Sequence, residues 1–84
     1  MTTQLSTVEL TESVRATWAD VLRLPAVGDD DDFFRLGGDS LAAVSICSRL
    51  EELLGVRPTL RMLFDHPRLA DYAGRVTTLV AGES

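Results

Sequence analysis

Eighty-four residues make one small domain with room for a single hydrophobic core, and 45% apolar with 25% charged residues is the balance of a folded chain, not of a disordered, collagen-like or disulfide-stapled one. Thirteen acidic residues against eight arginines and no lysine leave a net charge of −5, which excludes phosphate backbones and anionic lipid surfaces as natural partners and favours proteins with basic faces. Met1-Thr2-Thr3-Gln4 has neither the basic start nor the apolar run of a signal peptide, and no stretch nears the ~20 apolar residues of a membrane span, so the expected location is the cytoplasm.

Ser6-Thr7-Val8-Glu9 has the form of a capping box, and Leu10, Val14, Thr17 or Trp18, Val21 and Leu24 then recur at helical spacing. They predict a first helix over about Val8 to Arg23, ended by Pro25 and Gly28. Asp29-Asp30-Asp31-Asp32 lacks the spaced oxygen ligands and closing glutamate of a calcium loop and reads as a solvated acidic turn. Phe33, Phe34 and Leu36 come next as apolar anchors for a long loop, with Phe34 and Leu36 assigned the main part.

Gly37-Gly38 breaks the chain again, and Asp39 or Ser40 can cap the next helix. Ala43, Ile46, Cys47, Leu50, Leu53 and Leu54 mark the inner face of this second helix, which stops at Gly55. Cys47, the single cysteine, rules out an internal disulfide and reads as a small buried hydrophobe. Leu41 and Val44 fall at the edge of that face beside the helix start. They are expected as partner contacts, the alternative being that they pack under the loop.

Thr59 can cap a short third helix holding Leu60, Leu63 and Phe64, interrupted at Asp65-His66-Pro67. His66 is expected to cap or pack at this junction, and not to bind metal or move protons. Pro67 suits the first turn of a last helix marked by Leu69, Tyr72 or Ala73, Val76 and Val80, with Gly82-Glu83-Ser84 fraying at its end. No segment alternates as a strand would, and no internal repeat is present. The expected fold is all-α: three longer helices, one short third helix and a long loop between the first two, forming a single domain over residues 1–84 with its core at about 7–80.

The segment Asp31-Asp32-Phe33-Phe34-Arg35-Leu36-Gly37-Gly38-Asp39-Ser40-Leu41 resembles the carrier-protein, or phosphopantetheine-binding, family, and most of all the peptidyl carriers (thiolation domains) of nonribosomal peptide synthetases. Similarity continues through Ser48-Arg49-Leu50 and from Pro58 to Phe64-Asp65-His66-Pro67. The resemblance implies a four-helix carrier bundle in which Ser40 accepts 4′-phosphopantetheine from coenzyme A, with Gly37, Gly38 and Asp39 shaping the site. It also implies a non-catalytic chain that is the substrate of a phosphopantetheinyl transferase. An adenylation enzyme would load its arm with an aminoacyl or peptidyl thioester, and condensation, thioesterase or tailoring enzymes would take it up. A monomer is expected, binding neither nucleic acid nor membrane; the Met1 start and short tails suit a free-standing carrier, although an excised module would look the same. An acyl carrier of polyketide or fatty-acid type is the runner-up.

The chemistry suits the place, since a phosphodiester anion is favoured at a helix N-terminus with its open N–H groups, and no neighbouring histidine or lysine activates Ser40. Three departures from the family pattern stand out: Asp32 where peptidyl carriers often have asparagine or serine, the extra acid Asp29, and Arg68 where threonine or serine is common. With that last cap gone, Asp65 or His66 is expected to cap the fourth helix. Gly38-Asp39-Ser40-Leu41 also spells a hydrolase signature. That family needs a strand before the motif, a larger α/β/α domain and an aspartate three residues before its histidine, where this chain has Leu63 before His66. Taken alone, Gly-Gly-Asp-Ser would equally fit a helix cap in a plain interaction domain.

Overall fold

The computed structural model describes residues 6–82; the expectations for Met1 to Gln4 and for Glu83-Ser84 lie outside them. Four helices succeed one another: α1 (Thr7–Leu22), α2 (Ser40–Leu54), α3 (Leu60–Asp65) and α4 (Leu69–Ala81). Among the described residues no strand forms, and the one β-type pairing is an isolated antiparallel bridge between Asp32 and Arg68. α1 packs against both α2 and α4, and the short α3 bridges α2 and α4.

The start of α1 is the capping box that its residues predict, with Ser6 Oγ accepting from the Glu9 amide at 3.1 Å and the Ser6 amide donating to Glu9 Oε1 at 2.8 Å. Its end comes one residue early. Arg23 turns into the left-handed region at φ 59°, and the Leu24 amide reaches back to the Ala19 carbonyl at 2.9 Å. This closure satisfies a terminal carbonyl without glycine, and Pro25 then prevents any return to the helix.

The start of α4 departs further from expectation. Pro67 lies outside the helix, Arg68 stands at the N-cap position, and neither its side chain nor those of Asp65 and His66 cap the first turn. Backbone carbonyls of the acidic loop do so instead: the Leu69 amide donates to the Asp31 carbonyl and the Ala70 amide to the Asp29 carbonyl, both at 3.0 Å. In return the Phe33 amide donates to the Pro67 carbonyl at 2.7 Å. Four unpaired N–H groups at a helix start need acceptors from somewhere, and here a strap of loop backbone supplies two of them.

The aspartates are therefore not only a solvated turn. Asp31 Oδ2 accepts from the Gly28 amide at 2.7 Å, and Asp29 pairs with the Arg15 guanidinium, which also donates to the Val27 carbonyl at 2.7 Å. Arg15 thus staples the loop to α1, while Arg49 of α2 pairs with Asp20 of α1.

Within the bundle, Trp18 meets the Phe33 ring edge-on at 5.5 Å and the Tyr72 ring at 5.7 Å, and Val14, Ile46, Leu50, Leu63, Leu69 and Val76 close around them. Phe33 is fully buried and is the loop's anchor; Leu36 packs partly against the core, but Phe34 is 43% exposed. Leu53 is likewise corrected from core to surface, at 62% exposure. On a helix of 100° per residue it stands about 80° from the centre of the face that Ala43, Ile46, Cys47, Leu50 and Leu54 share. Cys47 is buried as expected.

Truncating Phe33 to alanine should destabilise the fold by about 3–5 kcal/mol in urea denaturation, whereas Phe34→Ala should cost under about 1 kcal/mol. Equal costs would show that the two rings anchor the loop together.

Burial pushes both the Cys47 thiol and the Tyr72 phenol up. The folded chain therefore keeps both protons at pH values where the unfolded chain, with ordinary values of about 8.5 and 10, releases them. Their contribution to stability is complete below about pH 8 and is lost as pH rises. Because the chain has no lysine, no other side chain titrates in that range. The urea midpoint should fall between about pH 7.5 and about pH 10.5, and fall less in Tyr72→Phe; an undiminished fall in that variant would assign the effect elsewhere.

Candidate functional site

Ser40 is the first residue of α2 and is exposed. Of the two residues able to cap this helix, Asp39 does so: its Oδ1 accepts from the Ala42 amide and its carbonyl from the Ala43 amide, both at 2.9 Å. Ser40 Oγ is thereby left without a hydrogen bond among the described residues, and so are the amides of Ser40 and Leu41 at the open helix end. A free hydroxyl thus sits beside two N–H donors and the positive end of a helix dipole, a combination that suits an attached anion.

A single turn before α2 sets this geometry. Asp32 Oδ1 accepts from the amides of Phe34 at 2.8 Å and Arg35 at 3.2 Å, and the Asp32 carbonyl accepts from the Leu36 amide at 2.9 Å. Asp32 is thus a local cap, which accounts for a short polar side chain at this position. The turn closes through the Gly37 amide to the Phe34 carbonyl at 3.1 Å and the Gly38 amide to the Phe33 carbonyl at 2.9 Å.

The two glycines have separate causes. Gly37 holds φ at 96°, where a side chain would strain the backbone. Gly38 has an ordinary φ, but a Cβ there would come within 2.4 Å of the Phe33 ring. The glycine pair that reads from sequence as a chain break is, at Gly38, first a seat for the buried anchor.

Around Ser40 the surface is apolar. Leu41 is 76% exposed and Val44 48%, so neither packs under the loop. Val44 and Leu60 line a shallow cleft of about 180 Å³ with Pro58 at its base, and beyond it Phe34 stacks on Phe64 with ring centres 5.7 Å apart. Leu60, Phe64 and Phe34 extend the strip that Leu41 and Val44 begin; sequence reasoning placed Leu60 and Phe64 on the third helix without naming them as surface, and took Phe34 as an anchor to the core. Of the apolar residues of α3 only Leu63 is buried. His66 does not join Ser40; its Nε2 accepts from Arg75 Nε at 3.2 Å, at the α3–α4 junction where it was expected to pack.

The profile of the family described as "Phosphopantetheine attachment site" matches residues 12–76. The chain belongs to that family. Two of the linear gramicidin synthase proteins of Brevibacillus parabrevis are similar to it. One is 44% identical over 73 residues, 87% of this chain and 1% of that protein. The other is 43% identical over 75 residues, 89% of this chain and 2% of that protein. This chain therefore spans only a very small part of the curated relatives it matches. Among solved structures, BlmI, a type-II acyl carrier protein from Streptomyces verticillus involved in bleomycin biosynthesis, superposes with a TM-score of 0.81 at 32% identity, covering 86% of this chain and 87% of that one.

Membership settles the fold as a helical carrier bundle and the cofactor as covalently attached 4′-phosphopantetheine. The start of α2 fits that group on its own geometry, having an exposed hydroxyl, two unengaged amides and no side chain at positions 37 and 38. The hydrolase signature, by contrast, has no sheet to present it among the described residues. No helix among them is long and apolar enough to cross a membrane.

Gly38→Ala should displace the Phe33 ring and destabilise the fold by about 1–3 kcal/mol. Asp39→Ala should cost about 1 kcal/mol through the lost cap. Thermal unfolding checks both, and a neutral Gly38→Ala would mean that the ring and the loop shift without strain.

Proposed function

We propose that Ser40 is the attachment point of the phosphopantetheine arm and that the chain is a peptidyl carrier domain of nonribosomal peptide assembly. The observation that carries the assignment is the exposed, unbonded Ser40 hydroxyl at a helix start already capped by Asp39. Ser40 Oγ forms a phosphodiester with the phosphopantetheine moiety of coenzyme A. The pyrophosphate bond of coenzyme A breaks, adenosine 3′,5′-bisphosphate leaves, and the hydroxyl proton passes to the transferase, because no base of this chain engages Ser40. The chain is then a substrate in this step and catalyses none. Support for a transferase as partner comes from the fold match, at 26% identity and a TM-score of 0.78, to a chain in the structure of the phosphopantetheine transferase Sfp with coenzyme A and a peptidyl carrier protein.

The arm, once attached, supplies a terminal thiol for thioester formation. The protein's own part is delivery: tethering raises the effective concentration of the bound group at each partner's active site. Leu41 and Val44 beside Ser40 are the proposed partner contacts, offered to the transferase, to an adenylation enzyme that loads the thiol, and to condensation, thioesterase or tailoring enzymes that unload it. Supporting the peptidyl assignment are the gramicidin synthase relatives. An acyl carrier is the second reading, favoured by the superposition on BlmI. In either case the domain works in the cytoplasm as a single unit.

Intact-mass spectrometry of the apo chain after incubation with coenzyme A, magnesium and a broad-specificity phosphopantetheinyl transferase should show the gain of one phosphopantetheine, absent in Ser40→Ala. A folded sample that several competent transferases leave unmodified would reduce the Ser40 region to a helix cap. Loading of the modified chain by an amino-acid adenylating enzyme, and not by an acyl-transferring one, is the outcome that separates the peptidyl from the acyl reading.

A further inference from the structure

Away from Ser40, α3 and α4 enclose a second groove of about 290 Å³, lined by Arg61, Met62, Asp65, His66, Arg75 and Leu79. Its lining is mainly apolar, and its charged groups are Arg61, Asp65 and Arg75. Arg61 is paired with Asp65 along α3 at 3.3 Å, but Arg75 has no carboxylate partner among the described residues. The Nε of Arg75 donates instead to His66 Nε2 at 3.2 Å. The imidazole thus orients the guanidinium from behind, leaving its two terminal amino groups as a preset fork of the kind that binds carboxylate in two parallel hydrogen bonds.

The charge of the chain is segregated in the same sense. Of its thirteen acidic residues only Asp65, Asp71 and Glu83 come after Gly55, yet four of the eight arginines do: Arg57, Arg61, Arg68 and Arg75. The last third of the chain, residues 56–84 with α3 and α4, therefore carries four arginines against three acids on a protein of net charge −5. An extended polyanion laid over this part would also meet the acidic α1–α2 part and be repelled, whereas a short acidic segment would not.

The geometry points to the α3–α4 groove as a docking site for a short, acidic, amphipathic segment of a partner protein. A carboxylate of that segment takes the Arg75 fork, and an apolar side chain beside it lies on Met62 and Leu79. This contact is separate from Ser40 and requires no arm.

The test uses the full apo chain, uniformly labelled with nitrogen-15, and a blocked helical peptide carrying glutamate and leucine on one face. A second peptide has every glutamate replaced by glutamine. Amide shift changes should concentrate at Met62, His66, Arg75 and Leu79. The dissociation constant should rise at least about tenfold in Arg75→Glu and with the glutamine peptide, and less in Arg75→Lys, which keeps the charge but not the fork. Arg75→Glu should retain the thermal midpoint of the parent and accept phosphopantetheine at the parent's rate, so failure here and failure of the Ser40 assignment are read separately. The proposal is overturned if no saturable shifts appear, if they map to Leu41 and Val44, or if Arg75→Glu binds as tightly as the parent. It is overturned in favour of a second copy of this chain if sedimentation of the protein alone shows a dimer that Arg75→Glu abolishes. Equal binding of short duplex DNA or anionic vesicles at this groove would overturn it in favour of a general anion surface.

Discussion

The Phe33 ring occupies the space that a side chain on residue 38 would need, and this exclusion accounts for most of the features that make the start of α2 usable. The ring lies edge-on to Trp18 at the centre of the core, so the long loop between α1 and α2 is held from inside and not merely closed at its ends. Held in this way, the loop brings Asp39 to the helix start with its carboxylate already engaged, and Ser40 comes after it with nothing to do structurally. A residue without a structural role at a rigid position is available for modification, because changing its oxygen breaks no contact that the fold needs.

The same loop faces the other way as well. Its backbone carbonyls satisfy the opening amides of α4, and Arg15 of α1 ties down both the Val27 carbonyl and Asp29. The loop is thus joined to α1 and α4 through contacts of three kinds: an aromatic anchor, carbonyl caps and a guanidinium staple. Loops with few such contacts open independently of the folds that bear them. This one shares its hydrogen bonds with α4, so the neighbourhood of Ser40 inherits the stability of the bundle.

Sequence periodicity reached the helices readily, since Leu10, Val14 and Trp18 or Ala43, Ile46, Cys47 and Leu50 repeat at a spacing that only a helix turns to one side. The capping box at Ser6 and the caps at Asp39 and Thr59 were equally legible, being local chemistry between neighbours in the chain. The features that escaped were nonlocal. Arg68 reads as a missing cap because the carbonyls that replace it come from Asp29 and Asp31, far back in the chain. Phe33 and Phe34 have the same side chain, and only the packing of α1 against α4 decides which one goes inside. Gly38 reads as a turn residue, although its backbone angle would tolerate a side chain and the obstacle is a ring five residues earlier. The apolar strip of Leu60, Phe64 and Phe34 was hidden for a related reason, because the spacing of Leu60, Leu63 and Phe64 on so short a helix does not say which of them faces the core.

Burial of Cys47 has a chemical consequence beyond packing. A thioester is cleaved by thiolates and by uncharged amines, and a carrier holds its cargo on a tether long enough to sweep its own surface. The one thiol of this chain is inside the bundle, and burial pushes it toward its protonated, unreactive form. No side-chain amine exists, because every cationic residue apart from His66 is an arginine, whose guanidinium keeps its proton at any physiological pH and is no nucleophile. The side chains of the domain therefore offer an activated acyl group neither a thiolate nor an amine to which it could be lost before a partner collects it.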